Sequence, residues 1–258
     1  MHDQLDKYFQ INNLYYKSQY GFRKEHSTEL AAIELIDRIT HKLDLAEIPL
    51  NIYIDLSKAF DTLNHNILLD KLDYYGVRNK SLELFQSYLE NRKQCVLFNN
   101  TYSNELTIST GVPQGSILGP LLFIIYINDF KLASNIFHPI VYADDTTLSA
   151  TLNTFSNSAL TLCTHEIENT INNELINVSD WLKQNKLSLN TDKTKAMIFH
   201  MPQRHINPPS ININGNEIEF VNNFNFLGIR LNNRFKHYLE RTYSQSFSEN
   251  LKSHCSHE

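Results

Sequence analysis

The chain has 258 residues, 41% of them hydrophobic, and 23 Lys and Arg face 28 Asp and Glu for a formal net charge of −5 and a pI near 6.1. That length can bury a sizeable core as one large domain or two small lobes, and no apolar run reaches the roughly 18 residues that a membrane-spanning helix needs. The acidic balance and the lack of a Lys/Arg cluster exclude a broad basic face, the usual footprint of a nucleic-acid binder.

In chain order, residues 27–44 are predicted as a helix, with Leu30, Ile33, Leu35, Ile36 and Ile39 at helical spacing and Ser27 or Thr28 as its cap. Residues 49–55 are a short apolar strand. Helices follow over 67–74, ending before Gly76, and over 81–91, with Leu82, Phe85 and Leu89 on one stripe. Residues 94–98 and 106–109 read as strands across a polar turn, and 117–130 as an apolar helix. A hairpin then surrounds Tyr142-Ala143-Asp144-Asp145, residues 157–185 are largely helical, and short strands close the chain at 195–200, 211–213, 217–221 and 226–231. The plan is α+β: an antiparallel sheet with helices packed on one face.

Carboxylates carry the chemistry. Asp144 and Asp145 fall between an apolar lead-in and a β-branched lead-out, at the tip of the predicted hairpin. Two like charges at a tight turn repel, and a hard divalent cation is the simplest partner for their oxygens; a solvated turn is the alternative. Asp55 ends the strand Asn51-Ile52-Tyr53-Ile54. An acid at one strand end beside an acid pair at a neighbouring tip suits a two-metal site for phosphoryl displacement. Between them, Gly111-Val112-Pro113-Gln114-Gly115-Ser116 opens a helix, a loop in which backbone approaches a ligand closely and points N–H groups at anions.

Cys95, Cys163 and Cys255 form no CxxC pair and no disulfide framework. The tail His254-Cys255-Ser256-His257 has metal-capable side chains but no second spaced pair, and reads as a frayed end. Met1-His2-Asp3-Gln4 opens polar rather than as a signal peptide, and an intracellular protein, nuclear or cytoplasmic, is expected.

Together, Tyr53-Ile54-Asp55-Leu56-Ser57-Lys58-Ala59-Phe60-Asp61, the segment Gly111 to Pro120 and Tyr142-Ala143-Asp144-Asp145 resemble the central motifs of reverse transcriptases. The wording is most similar to retrotransposons without long terminal repeats, of the jockey or LINE type. Gly21-Phe22-Arg23 with Ser27-Thr28, the segment Trp181 to Thr194, and Phe226-Leu227-Gly228 resemble further motifs of the family in the right order. The resemblance covers about residues 1–235.

The resemblance implies an RNA-directed DNA polymerase with two Mg²⁺ ions, Mn²⁺ being a substitute. RNA template, DNA primer or target and deoxynucleotides are the implied partners; no membrane is, and self-association is left open. Asp55 and Asp144 would bridge both metals, with Asp145 as a weaker ligand. Phe60 would be the sugar gate that rejects a ribose 2′-OH, or else a core residue opening the next helix. Gln114 and Gly115 would meet nucleotide or template, and Ser57, Lys58 and Ala59 the triphosphate. Lys193 would stand near the pyrophosphate as proton donor or charge clamp, or be a solvated lysine. Arg23 would lie near template or nucleotide, or be structural. Tyr142, Phe226, Leu227 and Gly228 would help seat template and primer.

By the same resemblance, residues 1–48 are partial fingers, 49–205 the palm with a helical finger-like part within 66–110, 206–235 the end of the palm with the primer grip, and 236–258 the start of a thumb or a disordered tail. Family members usually carry further finger strands and a full thumb, so a copy truncated at both ends is expected. Two other readings stay open: a palm that binds nucleic acid without polymerising, and another metal-dependent palm enzyme such as a nucleotide cyclase. The Gly111 to Gly119 loop argues against the cyclase.

Overall fold

The computed structural model describes residues 1–113, 115–152, 163–201 and 206–234. Helix α1 (His2–Ile11) is followed by α2 (Thr28–Asp44), β1 (Ile48–Ile54) and β2 (Leu56–Ser57). Then come α3 (His65–Tyr74), α4 (Lys80–Leu89) and four two-residue strands, β3 (Lys93–Gln94), β4 (Leu97–Phe98), β5 (Thr101–Tyr102) and β6 (Leu106–Thr107). Helix α5 (Leu118–Tyr126) and a 3-10 turn at Phe130–Ala133 lead to β7 (His138–Tyr142) and β8 (Asp145–Leu152). Helix α6 (Cys163–Gln184) precedes β9 (Ser188–Leu189), β10 (Lys195–Ile198), β11 (Asn212–Ile213), β12 (Asn216–Glu217), β13 (Glu219–Phe220), β14 (Asn223–Phe226) and β15 (Ile229–Asn232).

Local chemistry sets the helix ends. Ser27 caps α2 by accepting the Leu30 N–H at 3.3 Å, and Asn64 caps α3 by accepting that of Ile67 at 3.2 Å. At the far end of α3, Gly76 takes φ +94°, and the Gly76 and Val77 amides donate back to the Asp73 and Leu72 carbonyls. That is a Schellman closure, which favours glycine. Helix α5 is buried along eight of its nine residues, as its apolar sequence requires.

The five-stranded sheet runs β13-β10-β1-β8-β7, antiparallel except where β13 pairs parallel with β10. Every residue of the central strand β1 is buried. Its alternation splits the core. Leu50, Ile52 and Ile54 join one cluster with side chains of α3, α5 and α6, while Tyr53 joins a second with α2, Met197, Phe199 and Phe226. The expected α+β plan is therefore present with one addition: α2 and the β14–β15 hairpin cover the second face.

Other departures have simple causes. Helix α1 was not expected, because its polar sequence buries only Leu5 and Phe9. The predicted strand 226–231 is instead the end of a hairpin: Leu227 and Gly228 take φ +48° and +86°, reversing the chain between Phe226 and Ile229. The predicted strand 217–221 breaks at Ile218, and the strands 94–98 and 106–109 are two short ladders, β3–β6 and β4–β5. Residues 157–162 of the predicted long helix and residues 235–258 lie outside the described residues. No helix among the described residues is long and apolar enough to cross a membrane.

Candidate active site

The acid turn is made by the β7–β8 hairpin. Tyr142 pairs with Asp145, leaving Ala143 and Asp144 as a two-residue turn. Ala143 sits at φ +57°, in the left-handed region where such turns prefer glycine. The β1–β8 ladder pairs Ile54 with Thr146, so Asp55 comes opposite Asp145 one step further on. Directly paired residues share a face of a sheet. Asp55 therefore lies on the same face as Asp145, two residues beyond Tyr53, and both border one groove with Lys193 and the β14–β15 hairpin.

The proximity has an electrostatic consequence. Partial desolvation by the surrounding protein raises the Asp145 pKa although the residue stays exposed to solvent, and the Asp144 and Asp55 carboxylates raise it further. Among the described residues, however, no three His, Cys, Asp or Glu side chains close into one metal-holding set. The acids form an open group. Such a group fits Mg²⁺, which commonly takes one or two protein carboxylates and completes its octahedron with substrate phosphates and water. Lys193 Nζ stands 4.0 Å from Asp55 Oδ2 with 70% of its side chain exposed, so this pair is long and solvent-screened. The Asn190 amide donates to the Asp55 carbonyl at 2.9 Å and ties the loop before Lys193 to the end of β1.

Beyond Asp55, Ser57 pairs with Ser188, Lys58 is exposed at φ +48°, and Ala59 is buried. The half-buried Phe60 ring stacks on Phe123, centroids 4.4 Å apart at 28°, and meets Phe22 edge-to-face at 6.0 Å. The glycine-rich loop docks on this segment. Val112 donates to the Phe60 carbonyl at 3.0 Å, Gly111 to that of Leu63 at 2.7 Å, and His65 Nε2 contacts the Gly111 carbonyl at 2.7 Å. Gly115 takes φ +78° with open space where a Cβ would stand. Gln114 lies outside the described residues.

The β14–β15 hairpin is seated on β1 itself. Phe224 stacks on Tyr53 at 3.8 Å and 9°, and Phe226 tilts against it at 6.2 Å. Tyr142 and Leu227 are half-buried against the same cluster, and Gly228 completes the turn beside Leu227.

The segment Ser18–Arg23 lies along the outer edge of β7. Tyr20 donates to the Val141 carbonyl at 2.8 Å, and Val141 to that of Ser18 at 2.9 Å. Gly21 fits where nothing larger can: a Cβ there would lie 2.3 Å from the Ala143 nitrogen. Arg23 turns inward, donating to the carbonyls of Tyr16 and Gln19 at 3.0 Å each and lying 4.7 Å from the Tyr15 ring centre. That is the contact pattern of a structural arginine.

Glu34 of α2 latches this segment to β7. It accepts from Ser18 and Tyr20, pairs with Arg38 at 3.2 Å and contacts His138 Nε2 at 2.9 Å. Burial alone would raise its pKa, but hydrogen bonds from His138, Tyr20, Ser18 and Arg38 outweigh it and hold Glu34 at about 2, against an ordinary 4.5. A depressed carboxylate stabilises the fold fully above its unfolded value and loses that contribution as pH falls through the folded value. Between pH 4.5 and 2 the wild type should therefore lose more stability than Glu34→Gln. Thermal melts at stepped pH measure this, and parallel losses would rule the latch out.

Sequence reasoning missed Glu34, His138 and the contacts of Phe22, all of them tertiary.

Comparisons with known proteins identify the family. The reverse transcriptase (RNA-dependent DNA polymerase) family matches residues 1–231. A Drosophila melanogaster protein described as "Probable RNA-directed DNA polymerase from transposon BS" is 30% identical over 230 residues, 84% of this chain and 24% of that protein. The Drosophila funebris "RNA-directed DNA polymerase from mobile element jockey" is 27% identical over 222 residues, 83% of this chain and 23% of that protein. The chain thus spans about a quarter of the length of such relatives. Apo telomerase from Candida tropicalis, truncated from its C-terminal domain, superposes with TM-score 0.59 over 91% of this chain and 44% of the other, at 17% identity, a likeness of fold. With nearly the whole described chain matched, this protein belongs to the reverse transcriptase (RNA-dependent DNA polymerase) family.

Proposed function

We propose that this chain is the catalytic part of an RNA-directed DNA polymerase of a retrotransposon without long terminal repeats. The observation that carries the reading is the placing of Asp55, Asp144 and Asp145 at the shared end of β1 and the β7–β8 hairpin, close enough for Asp144 and Asp55 to raise the Asp145 pKa. Asp55 and Asp144, with Asp145 in support, would hold two Mg²⁺ ions, with Mn²⁺ as a substitute. When bound, the metals supply Lewis-acid stabilisation of the attacking and leaving oxygens. The substrates are a primer 3′-OH, a deoxynucleoside triphosphate and an RNA template.

The chain's own residues do the rest. Ser57 to Ala59 would present backbone to the triphosphate, and Gln114 and Gly115 would meet nucleotide or template. Lys193 supplies positive charge or a proton toward the departing pyrophosphate. Tyr142 and the hairpin of Phe226, Leu227 and Gly228 seat the strands. Residues 1–48 serve as fingers, 49–205 as palm and 206–235 as primer grip.

Primer extension by the purified protein on an RNA template with Mg²⁺ tests the reading. Template-dependent extension is expected. Retained RNA binding without extension would replace it with a palm that binds and does not polymerise.

Phe60 supplies the sugar test. Its ring is stacked on Phe123, and as the gate it would occupy volume that a 2′-OH needs. Phe60→Val should lower the deoxy/ribo ratio of kcat/KM by at least about tenfold, or roughly 1.4 kcal/mol. Extension with dNTPs and rNTPs in parallel measures it, and an unchanged ratio makes Phe60 a core residue.

A further inference from the structure

Phe22 combines three features that its place in a surface loop does not require. It is 53% exposed although large and apolar. It takes φ +55°, a left-handed conformation that is a genuine outlier for a bulky side chain and persists only where its surroundings impose it. Its ring also meets Phe60 edge-to-face, centroids 6.0 Å apart at 85°.

Its neighbours on both sides are fixed. Gly21 abuts the Ala143 backbone, so the chain cannot move toward the acid turn. Arg23 is tied to the Tyr16 and Gln19 carbonyls. Between these anchors the Phe22 side chain is delivered to Phe60. The Phe60 ring, already stacked on Phe123, is thus contacted from two directions by aromatic carbon.

We infer that Phe22 is a second determinant of sugar selection, a positioning residue that limits the swing of the Phe60 ring. This rests on the reading of Phe60 as the sugar gate. A ring stacked only on Phe123 can slide across that face, because offset stacking tolerates displacement. An edge-to-face neighbour blocks the slide. The site then rejects the 2′-OH with a ring that is held in place as well as bulky, and discrimination depends on how little the ring yields.

The experiment compares dNTP and rNTP incorporation by wild type, Phe22→Ala, Phe22→Tyr, Phe60→Val and the Phe22→Ala/Phe60→Val pair. Phe22→Ala should lower the deoxy/ribo ratio of kcat/KM by at least about threefold, as expected for the loss of one edge-to-face contact. The change should come from a lower KM for rNTPs, with dNTP kcat held. Phe22→Tyr keeps the ring and should keep the ratio. The double variant should match Phe60→Val alone, because Phe22 acts only through Phe60.

A Phe22→Ala ratio equal to wild type, with Phe60→Val lowered, overturns the inference and leaves the gate intact. So does a fall in dNTP kcat with the ratio unchanged, which is the mark of a merely structural residue. An additive double variant overturns the route through Phe60. An unchanged ratio in Phe60→Val overturns the gate itself, and an inactive wild type overturns the polymerase reading on which both stand.

Discussion

Asp144→Asn should cut primer extension by about a thousandfold or more while leaving the thermal midpoint at or slightly above that of wild type. The amide keeps the size and turn-forming capacity of the carboxylate, so the two-residue turn between Tyr142 and Asp145 has no reason to open. What disappears is one negative charge among three. Asp145, though exposed, is already disfavoured as an anion by partial desolvation and by Asp144 and Asp55, so neutralising Asp144 relieves repulsion in the folded state. The same charge is what a divalent cation would bind, and a loss of about 4 kcal/mol of transition-state stabilisation is about a thousandfold in rate. Melting and extension should therefore move independently. Wild-type extension by this variant would show that the acid turn is not the catalytic centre. A collapse of the melting transition would show that Asp144 is structural.

Gly21→Ala should do the reverse, damaging the fold first and activity as a consequence. The added Cβ would lie 2.3 Å from the Ala143 nitrogen and 3.0 Å from its Cα, and backbone cannot step aside as a flexible side chain would. The Ser18–Arg23 segment must then lift from β7. The backbone hydrogen bonds between Tyr20, Val141 and Ser18 are lost, and the Glu34 latch is loosened with them. Overpacking costs about 1–3 kcal/mol and each hydrogen bond about 1 kcal/mol, so a loss of about 3 kcal/mol or more is expected. For a chain of this size that is roughly a 6–12 °C drop in midpoint. A Gly21→Ala protein that melts with wild type would mean that the close approach to Ala143 is absent in solution.

Much of the site was legible because its chemistry is local. Acids at strand ends and glycines in a loop are fixed by short stretches of chain, and the strand register sets Asp55 near Asp145, with Asp144 in the adjoining turn, although no three acids among the described residues close into a metal-holding set. What was illegible is pairwise and distant. Phe22 and Phe60, or Glu34 and His138, are unremarkable residues until the chain brings them together. Helix α1 was invisible for another reason: two buried positions in ten give the apolar periodicity too little to show. The hairpin at 226–231 was misread because an apolar run of that length also suits one strand, and only the left-handed pair Leu227 and Gly228 divides it. The second covered face follows from β1, whose unbroken burial matches its near-continuous apolar sequence.

The stacking of Phe224 on Tyr53 has a mechanical consequence. Tyr53 and Asp55 leave the same side of the same strand, about 7 Å apart along it. The hairpin proposed to hold the primer and the acid proposed to meet its 3′ end are thus referenced to a single rod. If β1 bends or shifts as the sheet breathes, both travel together, and the displacement cancels from the gap between them. Alignment of primer end and reacting phosphate then has to withstand only motions of two rings and one turn, rather than those of the whole molecule.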